Sequence, residues 1–250
     1  MKKFFFKLPI IKQYLNLKYQ IANIESHLEI IHLNIDQVKI SENCSLNGQN
    51  IRKNLIKILN SKINFKFFVE TGTFLGMTAS YIARNYPSIE VITCEHNSFN
   101  YKISNNNLIS YNNLKLLKSK SIYLLEKIID SNGNLDSNFL FYLDAHWGTD
   151  NPLRDEIKII LNNFKNYVII IDDFKVPRDP GYGWDTGITT DDDNRIENIS
   201  GLLSEYGSNV YWPKMNSSDE TGAKRGSVIL GSSSMDSVLC KIDVLEKMAC

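Results

Sequence analysis

The feature that most constrains the fold is an alternation of short apolar runs with helix-type spacing, which continues from about residue 50 toward the end of the chain. Continuous apolar strands that alternate with helices are typical of a parallel sheet covered on both faces. The sequence therefore predicts an α/β protein with a Rossmann-like, doubly wound, mostly parallel sheet. The predicted strands are Phe65–Val69, Glu90–Cys94, Leu114–Leu117, Phe139–Leu143 and Tyr167–Ile171. The predicted helices are Ile51–Leu59, Thr78–Asn85, Ser121–Ile129 and Pro152–Phe164.

The last part of the chain has a different pattern. Two further apolar runs, Asn209–Trp212 and Ser227–Leu230, have no clear helix between them. Strands that follow each other without a crossover helix pair in antiparallel fashion. We therefore expect an antiparallel C-terminal pair that closes the sheet.

The N-terminal part is predicted to be a separate helical extension. Apolar residues recur every three or four positions over residues 13–40, and the polar segment 41–50 is typical of a linker. We place a tail and helical extension in residues 1–45 and the Rossmann-like domain in residues 46–250. An exposed apolar helix face requires a partner, so these helices are the expected contact of a homo-oligomer.

The first eleven residues, MKKFFFKLPII, combine basic and apolar side chains. They are too short to span a bilayer and have no small-residue cleavage site, so we expect neither a membrane span nor a secretory signal. Two readings stay open. The segment packs on the body or on a partner, or it makes a peripheral contact with a membrane surface.

Charge and cysteine content exclude several classes. The chain of 250 residues has 28 basic and 28 acidic residues, so its formal net charge is zero, which argues against a nucleic-acid-binding protein. None of the four cysteines forms a CxxC pair, so a zinc knuckle or a thioredoxin-type site is not expected. Sparse cysteines are typical of a reducing compartment, and we predict a cytoplasmic protein.

The turn after the first predicted strand is the first candidate for a ligand site, because open parallel sheets bind ligands beyond the carboxyl ends of their strands. It begins with Glu70 and contains Gly72 and Gly76 ahead of a helix N-terminus. It matches neither GxGxxG nor GxxxxGK[ST], so neither an NAD fingerprint nor an ATP P-loop is present. Glu95 ends the second strand, at the distance at which an acid can accept hydrogen bonds from ribose hydroxyls.

A second candidate lies after the fourth and fifth strands. Asp144 and His146 follow one strand, and Asp172 and Asp173 follow the other. If these strands are neighbours, three carboxylates converge, and they repel each other unless a cation or a proton lies among them. Oxygen ligands without thiolates suit Mg²⁺ or Mn²⁺. An imidazole can remove a proton at neutral pH, so the pattern favours deprotonation of an alcohol or a phenol.

These motifs together resemble a known family. The segments VETGTFLGMTA (69–79), CEH (94–96), FYLDAHW (141–147) and IIIDDF (169–174) are similar to class I S-adenosylmethionine (SAM)-dependent methyltransferases. More narrowly, they resemble the macrocin/mycinamicin sugar O-methyltransferases and the cephalosporin hydroxylase-like group. The resemblance covers residues 50–231 and implies an O-methyltransferase.

The resemblance also implies roles for individual residues. The acidic turn would hold the amino-acid end of SAM, and the acid after the second strand would bind its ribose. The implied SAM-binding residues are Glu70, Thr71, Gly72, Thr73, Gly76, Glu95, Ser119 and Asp144. The implied ligands of Mg²⁺ (or Mn²⁺) are Asp144, Asp172 and Asp173, with His146 as the catalytic base beside Asp144.

The acceptor is less constrained than the methyl donor. The segment 174–193 is a long irregular sequence with Tyr182, Trp184 and Asp185, and aromatic faces with carboxylates are typical of carbohydrate contact. We therefore expect a hydroxyl of a sugar, a glycan or another small natural product. Two alternatives stay open: a metal-dependent hydroxylase or hydrolase on the same scaffold, and a non-catalytic protein that keeps the cofactor fold.

Overall fold

The computed structural model describes residues 42–131, 135–146, 151–187 and 189–248. The predicted tail and most of the predicted helical extension lie outside these ranges. So does the predicted oligomer contact. None of the helices in the described ranges has the length and apolarity needed to cross a bilayer.

One sheet of eight strands organises the described residues. The strands are β1 (Phe67–Thr71), β2 (Glu90–Cys94), β3 (Leu114–Leu117), β4 (Asn138–Leu143), β5 (Asn166–Ile171), β6 (Asn209–Pro213), β7 (Val228–Gly231) and β8 (Leu245–Lys247). Their spatial order is β3-β2-β1-β4-β5-β7-β6-β8. The first five strands are mutually parallel. β7 is antiparallel to both β5 and β6, and β8 is antiparallel to β6.

Helices cover both faces of this sheet. The helices are α1 (Asn50–Ile63), α2 (Met77–Asn85), α3 (Ser98–Leu108), α4 (Ser121–Asp130), α5 (Leu153–Asn163), α6 (Ile196–Tyr206) and α7 (Asp236–Leu239). Their ends follow local chemistry. The side chain of Asn97 accepts hydrogen bonds from two backbone N–H groups of α3, and Gly207 takes the left-handed conformation that ends α6.

The core has two apolar layers, one on each face of the sheet. Alternate side chains of β4 point to opposite faces, as the strand period of two requires. Leu140 and Tyr142 belong to the layer beneath α1 and α2, whereas Phe139 and Phe141 belong to the layer beneath α4, α5 and α6. Both faces of the central strands are therefore buried, which is why these strands are continuous apolar runs in the sequence.

The predicted fold class is confirmed: the sheet is Rossmann-like, doubly wound and mostly parallel, with antiparallel strands from the C-terminal part. The predicted bounds of β2 and β3 match the structure. The predicted helices and strands lack α3, α6, α7 and β8. In α3 the apolar residues Ile103 and Leu108 are buried, but asparagines occupy several of the positions around them. The helical spacing of apolar residues is therefore weak in this segment.

The predicted linker is not a free linker in its described part. Residues Glu42–Gly48 form two short 3₁₀ turns separated by a kink at Ser45, Leu46 and Asn47, and this segment packs on the domain. Leu46 is 1% exposed, and its backbone N–H donates to Thr78 Oγ1 at 3.0 Å. Because Leu46 and Asn47 both have positive φ angles, the chain bends sharply there toward the carboxyl edge of the sheet.

Candidate active site

The largest described cavity, of about 440 Å³, lies at the carboxyl ends of β1, β2 and β4. The chain leaves β1 in one direction toward β2 and returns through β4 in the other, so this is the switch point at which open α/β sheets bind ligands. The residues that line it include Glu70, Gly72, Thr73, Glu95, Ser119, Ser121, Asp144 and Asp173. Two predicted sites, after β1 and after β4, therefore share one cavity.

The turn after β1 depends on glycine at position 72. Gly72 has a φ angle of +86°, and a Cβ atom there would lie 2.6 Å from the carbonyl oxygen of Asp144. The backbone of the turn thus approaches the end of β4 more closely than any side chain allows. Gly76 also has a positive φ and begins α2. The turn therefore holds the N-terminus of α2 against the cavity.

The carboxylate of Glu95 lies in the cavity wall and is held there by two backbone N–H groups. One carboxylate oxygen accepts from the N–H of Phe74 at 2.9 Å, and the other accepts from the N–H of Asn97 at 2.6 Å. Burial raises the pKa of this carboxyl group, and the backbone hydrogen bonds oppose the rise. Both oxygens keep a lone pair that can accept from a ligand.

Glu70 lies deeper in the cavity than Glu95. Its carboxylate accepts from Thr93 Oγ1 at 2.6 Å, and burial raises its pKa to about 8. Thr73 Oγ1 also contacts Thr93 Oγ1. Thr71 does not line the cavity; it is buried, and its carbonyl oxygen accepts from the N–H of Asp144 at 3.1 Å. Thr71 is therefore placed to support the site rather than to contact a ligand.

Ser119 is the predicted cofactor residue after β3. It lines the cavity, and its hydroxyl group has no hydrogen-bond partner among the described residues. Its backbone N–H donates to the carbonyl of Glu95 at 3.2 Å, which ties the ends of β2 and β3 together. A ligand in the cavity could therefore receive a hydrogen bond from this hydroxyl.

Asp144, His146 and Asp173 form a compact group beside the cavity. One potential ligand atom from each residue lies within 4.8 Å of the others. Burial and the neighbouring Asp172 and Asp173 raise the pKa of Asp144 well above its usual range. Burial lowers the pKa of His146, so its imidazole is neutral at neutral pH.

Asp172, which was predicted as a metal ligand, lies outside this group of three. Its side chain is fully buried and forms an ion pair with Arg52 of α1. The hydroxyl of Tyr142 and the amide of Asn47 also donate to the Asp172 carboxylate, and the N–H of Asp173 donates to it at 2.7 Å. Its oxygens are therefore engaged within the protein.

Asp173 points its carboxylate toward the cavity from a strained backbone. Its φ angle is +51°, an uncommon value for a residue other than glycine. Arg225 donates through Nε to Asp173 and through Nη2 to Asp185. The loop residue Asp185 in turn donates its N–H to the carbonyl of Asp173 at 2.9 Å, so the loop after β5 is fixed to the site.

The charge balance of this edge fits a divalent cation. Among the described residues, four carboxylates (Asp144, Asp172, Asp173 and Asp185) surround two guanidinium groups, those of Arg52 and Arg225. The ion pairs of both arginines involve the other three acids and not Asp144. If all four acids are ionised, two negative charges remain uncompensated, and buried uncompensated charges are costly. A divalent cation at Asp144 and Asp173 would neutralise them.

The predicted aromatic contacts are not in the main cavity. Tyr182 is 8% exposed, lines a separate small cavity, and donates its hydroxyl to the carbonyl of Met215 at 3.3 Å. Trp184 is half-buried under the ammonium group of Lys175, 5.2 Å from the ring centre. Phe74, in contrast, lines the cavity and is 40% exposed.

Arg52 is the main residue that the sequence analysis missed. It lies on the apolar face of α1, one turn before Leu55 and Ile56, and is 3% exposed. A charged residue at a core position of an amphipathic helix is rare unless it is paired. The position of Arg52 in the helix pattern indicates a buried ion pair, but the sequence pattern does not identify Asp172 as its partner.

The fold is the one seen in solved SAM-dependent O-methyltransferases. No protein-family model matches the chain, and no curated protein gives a significant match. Similar solved structures include the O-methyltransferase TomG from Streptomyces achromogenes, involved in tomaymycin synthesis and in complex with SAM. It is 14% identical with a TM-score of 0.53, over 73% of this chain and 80% of TomG.

A second similar structure is an O-methyltransferase from Bacillus cereus in complex with SAH. It is 14% identical with a TM-score of 0.53, over 84% of this chain and 90% of that protein. At these identities the likeness establishes the fold. The activity has to be argued from the site itself.

Proposed function

We propose that this protein is a SAM-dependent O-methyltransferase whose site holds a divalent cation. The observation that supports this most strongly is the cavity of about 440 Å³ at the switch point of the sheet, bounded by Glu70 and Glu95 at one end and by Asp144 and Asp173 at the other. This cavity is large enough for one nucleoside-sized ligand. It connects the proposed donor site with the acidic group.

The donor would lie along the turn after β1. Glu95 has free lone pairs for the ribose hydroxyls, and its carboxylate is already oriented by the N–H groups of Phe74 and Asn97. Glu70 faces the position of the amino-acid end, where its carboxylate would meet a positive charge. Ser119 and Ser121 offer hydroxyls on the side where the base would lie.

Bound SAM supplies a methyl group on a positively charged sulfur. The acceptor oxygen would take that methyl group while the carbon–sulfur bond breaks, and the acceptor hydroxyl must lose its proton. Asp144 is a cavity-lining carboxyl group without an arginine ion pair among the described residues, and it lies beside His146 and Asp173. We infer that the Asp144–Asp173 edge orients the acceptor hydroxyl and that the Asp144 carboxylate accepts its proton. A cation there would lower the pKa of that hydroxyl.

The acceptor class remains part of the proposal. The resemblance to sugar O-methyltransferases supports a sugar or glycan hydroxyl. The buried position of Tyr182 removes one of the two aromatic residues expected to contact it. Phe74 is the exposed aromatic ring at the cavity, and it is therefore the proposed hydrophobic contact for an acceptor.

The test is SAM binding by calorimetry with the full chain. We expect micromolar binding to the wild type and at least a tenfold loss in Glu95→Ala, with Glu95→Gln in between because its amide oxygen still accepts one hydrogen bond. Glu90→Ala is the matched control, since Glu90 begins the same strand β2 at the opposite edge of the sheet and pairs there with Lys115. Equal binding of SAM by wild type and Glu95→Ala would contradict the proposed site.

A further inference from the structure

His146 is a buried polar side chain without an assigned partner. His146 is 4% exposed, and its ring makes no side-chain hydrogen bond among the described residues; the backbone of Asp172 is the polar group that faces the ring. Most buried polar groups in proteins are hydrogen-bonded. The Asp172 backbone can engage only one ring nitrogen, so the other nitrogen, buried beside two carboxylates, indicates a partner that is not part of the described chain.

The geometry points this imidazole at the acidic pair. One ring nitrogen of His146 and one oxygen each of Asp144 and Asp173 all lie within 4.8 Å of one another. Ligands bound about 2.1 Å from one ion lie about 3 to 4.2 Å apart, so small side-chain rotations bring all three onto one ion. The cluster is thus more than a set of surface acids, because its third member is buried and directed inward.

The backbone frame of these ligands is already fixed. The N–H of Asp144 donates to the carbonyl of Thr71 at 3.1 Å, and the N–H of Asp172 donates to the carbonyl of Leu143 at 3.0 Å. Arg225 holds one carboxylate oxygen of Asp173 and leaves the other oxygen available. Such an outer hydrogen bond orients a metal-binding carboxylate.

We propose that His146 is a direct ligand of the cation, together with Asp144 and Asp173, and that the site therefore selects a transition ion such as Mn²⁺ over Mg²⁺. Mg²⁺ takes oxygen ligands in a near-ideal octahedron, whereas imidazole nitrogen is a normal ligand of transition metals. The use of this ion in methyl transfer rests on the proposed function, but the ligand set itself does not. His146 is then a metal ligand and not the catalytic base.

The experiment is a Mn²⁺ titration of the full chain, without SAM, followed by electron paramagnetic resonance. Pulsed measurements of bound Mn²⁺ detect magnetic coupling to a ligand nitrogen. We expect one tightly bound Mn²⁺ with nitrogen coupling, and we expect Mg²⁺ to displace it only at a concentration at least about tenfold higher. His146→Ala should lose the coupling and bind Mn²⁺ at least about tenfold more weakly.

His96→Ala is the matched control, because His96 lies beside Glu95 at the other end of the same cavity and its side chain is 64% exposed. It should keep both the nitrogen coupling and the affinity. Asp144→Asn should lose affinity while its circular dichroism stays that of the wild type.

Four results would overturn the proposal: no bound Mn²⁺, bound Mn²⁺ without nitrogen coupling, coupling that survives in His146→Ala, or equal affinities for Mn²⁺ and Mg²⁺. The proposed function fails separately. If the wild-type protein binds Mn²⁺ with nitrogen coupling but does not bind SAM, the proposal of a methyltransferase is contradicted. The proposed set of metal ligands is then unaffected.

Discussion

At the β1–β2 end of the cavity the carboxylates accept hydrogen bonds from neutral donors, whereas at the β4–β5 end they pair with guanidinium groups. Glu95 accepts from two backbone N–H groups and Glu70 from a threonine hydroxyl. Asp172 pairs with Arg52, and Asp173 pairs with Arg225. The first end can gain a positive ligand without losing an ion pair to a lysine or an arginine among the described residues. At the second end the carboxylates lie around the guanidinium groups of Arg52 and Arg225. This arrangement leaves a defined position for one metal ion, at Asp144 and Asp173.

The largest expected effect follows from removing the buried guanidinium group of Arg52 at the second end of the cavity. Arg52→Met leaves the buried Asp172 without its ion pair, and we expect a loss of about 3–5 kcal/mol in the free energy of unfolding. Chemical denaturation measures this loss. Arg178→Met is the control, because Arg178 pairs with Glu246 on the surface and should cost less than about 1 kcal/mol. Equal losses in the two variants would show that the buried Arg52–Asp172 pair contributes no more than a surface ion pair.

The next effect is a pH dependence at the first end. The folded pKa of Glu70, about 8, lies above its unfolded value of 4.5, so the folded state binds this proton more tightly. Its stabilising contribution is full below pH 4.5 and is lost as the pH rises through about 8. Glu70→Gln should remove this loss and raise stability at pH 9 by about 2–4 kcal/mol, while changing it little at pH 4.5. Parallel pH profiles of unfolding for the two proteins would contradict the assignment.

A smaller effect on stability is expected at Gly72, where the turn after β1 contacts the end of β4. Gly72→Ala places a Cβ atom 2.6 Å from the carbonyl oxygen of Asp144 at a positive φ, and we expect a loss of about 1–3 kcal/mol. Gly201→Ala is the matched control, because Gly201 lies within α6 with no atom within 4 Å of the added methyl group. That change should stabilise the protein by about 0.5–1 kcal/mol. Thermal unfolding of the two variants compares them, and a neutral Gly72→Ala would show that the turn is not closely packed on β4.

The same comparison explains how much the sequence could predict. Glu95 has its partners nearby: Asn97 is two residues away and Phe74 lies in the adjoining turn. Its place at the end of a strand was readable from the local pattern. Asp172 has its ion-pair partner 120 residues earlier, on a different helix. No local pattern links these two residues, and Asp172 was grouped with the metal ligands by its position after β5 and by the resemblance to the methyltransferase family.

Regular elements were predicted where apolar periodicity is strong. The central strands are buried on both faces, so their apolar runs define them. Helix α3 is rich in polar residues, and its clearest signal is the capping side chain of Asn97. The edge strand β8 has three residues and is set by its pairing with β6, which is a tertiary contact.

The most direct test of the whole account is a crystal structure of the full chain grown with SAH and Mn²⁺. The account predicts SAH in the cavity with its ribose hydroxyls on Glu95, and Mn²⁺ on Asp144, His146 and Asp173. Asp172 should remain paired with Arg52. A structure in which SAH lies outside this cavity, or in which Asp172 leaves Arg52 to bind the ion, would contradict it.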